Sequence, residues 1–182
     1  MLDRIEIRPG FECAKIRPEV GKFINKDMNG IDVGSGGAPV FLQSISMDKE
    51  ARGRWSDLVQ LKGDARNLYW FRDGVLDYVF SSHCLEDFDH SAKVSVLEEW
   101  VRVLKPGGYL LLYLPDEHKF REYCSKHGLG GNANHKDPDF NISKLRVLIS
   151  ENNLSTRLEE VYSIVEHNDY CFFLVYRKKG GV

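Results

Sequence analysis

The sequence predicts an α/β fold, a three-layer sandwich in which a mostly parallel sheet with one antiparallel strand lies between two layers of helices. Two observations support this prediction. Apolar runs of strand length alternate with amphipathic helical segments along most of the chain. The last two predicted strands, Leu158–Val165 and Tyr170–Tyr176, are separated by the turn residues His167-Asn168-Asp169 and therefore predict an antiparallel hairpin.

The composition predicts a single globular domain spanning residues 1–182, with 42% hydrophobic and 29% charged residues. A formal charge of −2 gives no case for a nucleic-acid partner. No apolar run approaches the ~20 residues of a membrane span, and the first residues do not resemble a signal peptide. The four cysteines lie far apart and form no C-x-x-C pair. This spacing argues against a zinc site and for a reducing, cytoplasmic location.

Five apolar runs predict the strands that precede the hairpin. The first ends at Val33, and the fifth, Tyr109–Leu114, is continuously apolar, as expected of a central strand covered on both faces. The others are predicted at residues 40–47, 58–61 and 76–81, and residues 4–8 alternate like a further short strand. A parallel crossover takes about a dozen residues. Either the helix after the first strand is reduced to a turn, or the second strand begins later.

Four helices are predicted, at residues 18–28, 91–104, 117–126 and, capped by Asn141, 141–149. The first begins at its proline. The second carries Val94, Leu97 and Val101 on one face, and residues 105–108 end it with a proline and two glycines. Gly128–Pro138 is rich in glycine, asparagine and proline and is predicted to be a loop.

The stretch Gly30–Pro39 ends the first strand in a glycine-rich turn, which lets the backbone approach a ligand closely. Its spacing begins as G-x-G at Gly34 and Gly36. A dinucleotide-binding G-x-G-x-x-G requires a third glycine where this chain has Pro39. This departure speaks against a nicotinamide-dependent oxidoreductase. The spacing agrees better with the G-x-G-x-G/A loop of an S-adenosylmethionine site.

Polar residues also follow three other predicted strands, and the carboxyl ends of parallel strands form the ligand-binding edge of such a sheet. Asp48 follows the second strand and offers a bidentate acceptor for the two hydroxyls of a ribose. Gly63-Asp64-Ala65 follows the third strand, with an acceptor for an adenine amino group in Asp64 and a donor for a ring nitrogen in the Ala65 N–H. Ser81-Ser82-His83 follows the fourth strand.

These motifs, in this order, resemble the class I S-adenosylmethionine-dependent methyltransferases, and most closely the small single-domain, methyltransferase type 11-like group. The resemblance rests on Gly-Ile-Asp-Val-Gly-Ser-Gly-Gly, on Gly-Asp-Ala, and on Asp-Gly-Val-Leu-Asp-Tyr-Val-Phe-Ser-Ser-His-Cys-Leu-Glu-Asp-Phe. It continues through Glu98–Gly108 and covers roughly residues 30–115. It implies a Rossmann-like fold with a seven-stranded sheet. Residues 1–29 would then be an N-terminal segment, 30–115 the cofactor-binding half and 116–182 the acceptor-side half.

The resemblance also implies S-adenosyl-L-methionine as the cofactor and assigns residues to its parts. Asp32, Gly34 and Gly36 would hold the methionine moiety, with Ser35 between the glycines. Asp48, followed by Lys49, would bind the ribose. Asp64 and Ala65, preceded by Gly63, would bind the adenine. Ser81, with Ser82, would lie by the amino-acid moiety. The helix that usually follows the glycine loop is nearly absent here, so Pro39 and Phe41 are expected to hold the loop.

The predicted function is methyl transfer to a small-molecule or glycan acceptor, at a hydroxyl oxygen. A hydroxyl acceptor gains from a general base, and His83 and His135 are the candidate imidazoles. No metal is expected. The alternative is a non-catalytic S-adenosylmethionine-binding module that completes a larger methyltransferase. The acceptor pocket would be built from the segments after the fourth and fifth strands or completed by a partner subunit. A homodimer therefore remains open.

Overall fold

The computed structural model describes residues 12–50 and 58–180, so the strand predicted at residues 4–8 lies outside the described residues. In order along the chain, the described elements are α1 (Glu12–Val20), β1 (Gly30–Val33), β2 (Ile45–Asp48), β3 (Leu61–Lys62), β4 (Leu76–Ser82), α2 (His90–Val103), β5 (Leu104–Pro115), α3 (Glu117–His127), α4 (Ile142–Glu151), β6 (Leu158–His167) and β7 (Cys171–Lys178). No helix among these is long and apolar enough to cross a membrane.

The described strands form one seven-stranded sheet in the order β3-β2-β1-β4-β5-β7-β6. The pairs among β1 to β5 are all parallel, whereas β7 runs antiparallel to both of its neighbours. The predicted α/β fold with a mostly parallel sheet and one antiparallel strand is therefore confirmed. The chain continues from β1 to β2 on one side and returns to β4 on the other side, and this reversal is where sheets of this kind bind ligands.

Helices cover both faces of the sheet. One hydrophobic core lies under α2 and α4 and includes Trp100, Leu145 and Val79. The other lies under α1 and includes Ile16 and Phe80. Every residue of β1 is buried, because this strand is covered on both faces. The three-layer arrangement fixes the carboxyl ends of β1, β2 and β4 side by side.

The first helix begins earlier than the sequence predicts, and a helix over residues 18–28 is wrong. The described helix α1 has Pro18 in its interior and ends at Val20, directly before Gly21. Its buried face is formed by Cys13, Ile16 and Val20, which recur at the spacing of a helical stripe. Residues 21–29 form turns.

The second strand begins at Ile45, so the predicted start at residue 40 is wrong, and the alternative of a later start is confirmed. Residues 34–44 form turns without a regular helix. Side chains form hydrogen bonds with the backbone N–H and C=O groups of this connection. The Val40 N–H donates to Asp32 Oδ2 at 2.6 Å, and Arg17 of α1 donates to the carbonyl oxygens of Val40 and Pro39. Asp32 and Arg17 thus hold this connection, and the expected role of Pro39 and Phe41 stays a prediction.

The remaining boundaries agree with the sequence except at β3 and β5. Strand β3 has only two residues, because it pairs with β2 through Leu61 and Lys62 alone. Strand β5 begins at Leu104 and contains residues 105–108, which were predicted to lie before it. Helices α2, α3 and α4, the Asn141 cap and the closing hairpin lie where they were predicted. The buried face of α2 includes Lys93, which the apolar pattern did not identify.

Candidate active site

The glycine loop turns at the carboxyl end of β1 with three glycines at positive φ, Gly34 at 77°, Gly36 at 56° and Gly37 at 80°. A Cβ on Gly34 would lie 2.6 Å from the Cβ of Cys84, so glycine is also required by the close approach of the two segments. The N–H groups of Gly34 and Ser35 both donate to the Met47 carbonyl, at 3.0 and 3.1 Å. The loop is therefore fastened to β2.

Asp48 lies at the end of β2 and contacts this loop directly. Its Oδ2 accepts a hydrogen bond from the Gly36 N–H at 2.8 Å, and its Oδ1 accepts one from the Glu50 N–H at 3.1 Å. A carboxylate has about four lone-pair sites. Each Asp48 oxygen therefore keeps acceptor capacity for a further donor while one of its lone pairs holds the loop.

A cleft of about 680 Å³ opens at this edge of the sheet, and we call it the main cleft. It brings together eight of the predicted site residues: Gly34, Gly36, Asp48, Lys49, Gly63, Asp64, Ala65 and His83. Residues without a predicted role complete its walls, among them Cys84, Asp87 and Phe88 from the segment after β4, and Asn134 and Lys136 from the loop after α3. The volume is within the range of small-molecule and cofactor sites, roughly 300–1,000 Å³.

Asp64 and its neighbours form the wall of the main cleft below β3. Both Asp64 oxygens accept hydrogen bonds from the Arg66 guanidinium, which lowers the pKa of this carboxyl. Asp64 is therefore ionised and its Arg66 partner is largely exposed, so a ligand amino group can compete for it. Gly63 is required by packing, because a Cβ there would lie 2.1 Å from the Trp70 ring.

Five predicted residues lie outside the lining of the main cleft: Asp32, Ser35, Ser81, Ser82 and His135. Ser81 is fully buried, and its hydroxyl donates to the Val33 carbonyl at 2.9 Å, so its side chain joins β4 to β1. Asp32, Ser35 and Ser82 line a second cavity of about 190 Å³, which we call the side cavity. Glu12 and Cys13 of α1 complete it, together with the glycine loop and His83. His83 is thus shared by the two cavities.

Asp32 is buried, with 1% of its surface exposed, and only one of its oxygens is hydrogen-bonded. Burial raises the pKa of Asp32 to about 8, and the nearby Asp48 carboxylate contributes in the same direction. The Asp32 carboxyl is consequently protonated at neutral pH. We therefore expect Asp32 to act as a neutral group toward the methionine moiety. It fixes the conformation of the loop by accepting the hydrogen bond from the Val40 N–H.

His83 occupies a strained position directly after β4, with φ 51° at a residue that carries a side chain. Its Nδ1 lies 3.5 Å from Glu86 Oε1, and its Nε2 lies 3.4 Å from Cys171 Sγ. Burial alone would lower the pKa of His83, but the contacts with Cys171 and Glu86 outweigh it and raise the pKa to about 10. The expectation of a histidine base with an ordinary pKa near ~6.5 does not hold at this position.

His135 belongs to neither cavity lining among the described residues. Its side chain is 4% exposed and lies between two buried carboxylates. Its Nδ1 is 2.6 Å from Glu117 Oε2, and its Nε2 is 3.8 Å from Glu86 Oε1. The adjacent Lys136 N–H donates to the Glu86 carbonyl at 3.2 Å. This geometry argues against His135 as the catalytic base and gives it a positioning role between α3 and the segment after β4.

Some of the lining residues that were not predicted had a signal in the sequence, and others had none. Asp87 and Phe88 stand inside the quoted motif after β4, so their position gave a signal. Burial raises the pKa of Asp87 to about 6, and the neighbouring Glu86 carboxylate adds to this. Glu12 gave no signal, because the first helix was predicted to begin after it.

Comparison with known proteins agrees with the site. The family model described as "Methyltransferase domain" matches residues 31–112. Phosphoethanolamine N-methyltransferase 2 from Caenorhabditis elegans is 27% identical over 132 residues, which are 69% of this chain. Those residues span 27% of the length of that curated relative.

Solved structures share the fold at low sequence identity. A Thermotoga maritima protein described as an S-adenosylmethionine-dependent methyltransferase and possible histamine N-methyltransferase has a TM-score of 0.66 and 18% identity, over 92% of this chain and 89% of that one. A chain from the complex between the Trm112 methyltransferase activator and a methyltransferase of Haloferax volcanii has a TM-score of 0.66 and 13% identity, over 95% and 93% of the two chains.

Proposed function

Because the chain belongs to the class I S-adenosylmethionine-dependent methyltransferases, with S-adenosyl-L-methionine as its cofactor, we propose that it methylates a hydroxyl oxygen of a small-molecule or glycan acceptor. The observation that carries the proposal is the meeting of two cavities at one sheet edge. The main cleft has the donors and acceptors of a nucleoside site, and the side cavity adjoins it across the glycine loop and His83.

The residues of the main cleft fit the cofactor. Asp48 keeps free acceptor capacity for two ribose hydroxyls, and Asp64 is an ionised acceptor within reach of an adenine amino group. Gly36 faces open space, since a Cβ built on it would meet no atom within 4 Å. The backbone of the loop can therefore approach a ligand. When bound, the cofactor supplies a methyl group carried by a sulfonium.

The side cavity is proposed as the acceptor subsite. Its polar lining comes from Glu12, Ser82 and His83, which can bind and orient a hydroxyl. Holding acceptor and methyl group in line accounts for most of the catalysis expected of such an enzyme. His83 is proposed as the catalytic residue that contacts the acceptor. His135 is proposed to position Glu86, which in turn faces His83.

An amine acceptor is the second candidate function. It is favoured by the names of two similar proteins, which refer to phosphoethanolamine and to histamine. The Glu12 carboxylate on the cavity wall also suits a cationic amine. The alternative of a non-catalytic module is not favoured, because the match to the methyltransferase family spans residues 31–112 and includes the glycine loop, Asp48 and Asp64.

The proposal extends to the assembly and location of the protein. A homodimer stays a proposal for the assembly. All four cysteines are free thiols, which supports a reducing compartment such as the cytoplasm.

The test combines cofactor binding with an acceptor panel. S-Adenosylhomocysteine should raise the melting temperature by mass action, whereas NAD should not. Matched alcohols and amines of the same carbon skeleton should then be offered with labelled S-adenosyl-L-methionine. Label transfer to the alcohols supports the hydroxyl proposal, and transfer to the amines alone replaces it with the second candidate. Cofactor binding without transfer to any acceptor, including glycans, would favour the module instead.

A further inference from the structure

Three side chains with metal-binding atoms meet beside the side cavity. They are Glu12 on the first turn of α1, His83 directly after β4, and Cys171 at the start of β7. One ligand atom from each lies within 4.8 Å of the others, and among the described residues no other group of this kind is found. The three residues are far apart in sequence, so no spacing motif could have indicated them.

We propose that Glu12, His83 and Cys171 bind a zinc ion whose fourth coordination position faces the side cavity. Thiolate, imidazole and carboxylate are the three ligand types that Zn²⁺ takes in proteins, and three protein ligands with one open position are typical of catalytic sites. This proposal replaces the expectation, drawn from the absence of a C-x-x-C pair, that the chain holds no metal.

The distances agree with a tetrahedral centre. Zinc lies about 2.3 Å from sulfur and about 2.0–2.1 Å from nitrogen, which places the two ligand atoms about 3.5 Å apart at a tetrahedral angle. The observed separation between His83 Nε2 and Cys171 Sγ is 3.4 Å. A hydrogen-bonded thiol–imidazole pair would have a similar separation, but it would not require the carboxylate of Glu12 to converge on the same point.

Two of the proposed ligands, Glu12 and His83, contact polar or charged groups on the side away from the metal, as is usual at metal sites. The Tyr170 hydroxyl donates to Glu12 Oε1 at 2.8 Å, and the Asn168 amide donates to Oε2 at 3.2 Å. The Nδ1 of His83 lies 3.5 Å from the buried Glu86 carboxylate. A histidine with a carboxylate on the nitrogen away from the metal is a recurring arrangement at zinc sites.

The open side of the cluster is the side cavity itself. Glu12 and His83 both line that cavity, whereas Cys171 is buried behind them with 1% exposure. A bound zinc would therefore face the space proposed for the acceptor. A hydroxyl on the open position would lose its proton more readily, because metal coordination lowers its pKa. This catalytic role rests on the proposed function, with the zinc ion that His83 holds contacting the acceptor in place of the imidazole, whereas zinc binding does not rest on it.

The test measures metal binding without any reaction. The full chain should take up about one Zn²⁺ in competition with a chromophoric chelator. With Co²⁺ in place of zinc it should show the visible bands of a tetrahedral site and a thiolate-to-metal charge-transfer band. Cys171→Ser should abolish that charge-transfer band. Tyr170→Phe, which removes a hydrogen bond behind Glu12, should weaken zinc binding by about 10- to 100-fold.

The matched control is Cys13→Ser, because Cys13 lines the same cavity but directs its thiol to the Ala38 carbonyl at 3.1 Å. It should keep the charge-transfer band. Glu12→Gln serves if Cys171→Ser fails to fold, since Glu12 is partly exposed on the first helical turn. It should weaken zinc binding while keeping the thiolate band.

Three results would overturn the proposal. They are the absence of stoichiometric zinc in the wild-type chain, loss of the band in Cys13→Ser, and unchanged zinc affinity in Glu12→Gln. Asp48→Ala separates this proposal from the proposed function, because it should lose affinity for S-adenosylhomocysteine while binding zinc normally.

Discussion

Replacing Asp48 tests the nucleoside site at its most informative residue. The carboxylate accepts the Gly36 and Glu50 N–H groups and is proposed to accept two ribose hydroxyls as well. A hydrogen bond to a charged group contributes about 1.5–3 kcal/mol. Asp48→Ala should therefore weaken binding of S-adenosylhomocysteine by about 10- to 150-fold, at 1.4 kcal/mol for each factor of ten. Asp48→Asn should lose less, because its amide oxygen can still accept from Gly36.

The assay is isothermal titration calorimetry with S-adenosylhomocysteine on the wild type and both variants. Asp27→Ala is the matched control, since Asp27 is an exposed carboxylate in the turns between α1 and β1. It should bind like the wild type. Unfolding of each variant by urea, without ligand, checks that the fold is intact.

Two results would refute the reasoning. Dissociation constants of both variants within about two-fold of the wild type would mean that Asp48 does not bind the ribose. A large loss in Asp48→Ala with none in Asp48→Asn would mean that Asp48 acts only by holding the Gly36 N–H. Either result would move the ribose to another part of the main cleft.

Three further predictions concern the stability of the chain. Gly34→Ala should destabilise the fold by at least about 1–2 kcal/mol, because its Cβ would clash with Cys84 at a positive φ, while Gly131→Ala, which meets no atom, should be nearly neutral in urea unfolding. Asp32 has a raised pKa, so the folded state binds a proton that the unfolded chain releases, and the free energy of unfolding should fall as the pH rises from about 4 to about 8. Asp32→Asn should remove that slope, and equal slopes in both proteins would contradict the protonated state. Burial lowers the pKa of Lys93, whose ammonium has no hydrogen-bond partner within the described residues. Lys93 Nζ lies 3.7 Å from Asp137 Oδ2. Lys93→Met should therefore keep or increase the free energy of unfolding, and a loss of more than about 2 kcal/mol would show that this ion pair stabilises the fold.

The sequence predicted most reliably those features whose signal is local. Residues 109–114 of β5 and 171–176 of β7 are continuous apolar runs, the turn residues between the last two strands predict the hairpin, and Asp48 and Asp64 follow predicted strands. The boundaries of α1 and β2 were missed because they depend on tertiary contacts. Arg17 and Asp32 satisfy the backbone around Val40, and neither contact has a signature in the local pattern.

The histidines show the same limit at the site. His83 directly follows the fourth predicted strand and His135 lies in a predicted loop, but neither position shows which partners the imidazole meets in the folded chain. The structure separates them through partners far along the chain. Cys171 lies 88 residues from His83, whereas His135 is enclosed by Glu117 and Glu86. A residue's chemistry here is decided by elements that meet only in the folded sheet.

Helix α1 has a consequence for thermodynamic linkage between the two cavities. It carries Glu12 into the side cavity and, one and a half turns later, Arg17 onto the connection that follows the glycine loop. A rigid displacement of α1 would therefore move the wall of the side cavity and the connection after the glycine loop at the same time. Any factor by which an acceptor changes the affinity for S-adenosylhomocysteine must equal the factor by which S-adenosylhomocysteine changes the affinity for that acceptor. If the cofactor and the acceptor bind as proposed, helix α1 supports both of their sites, and their binding constants are linked through it.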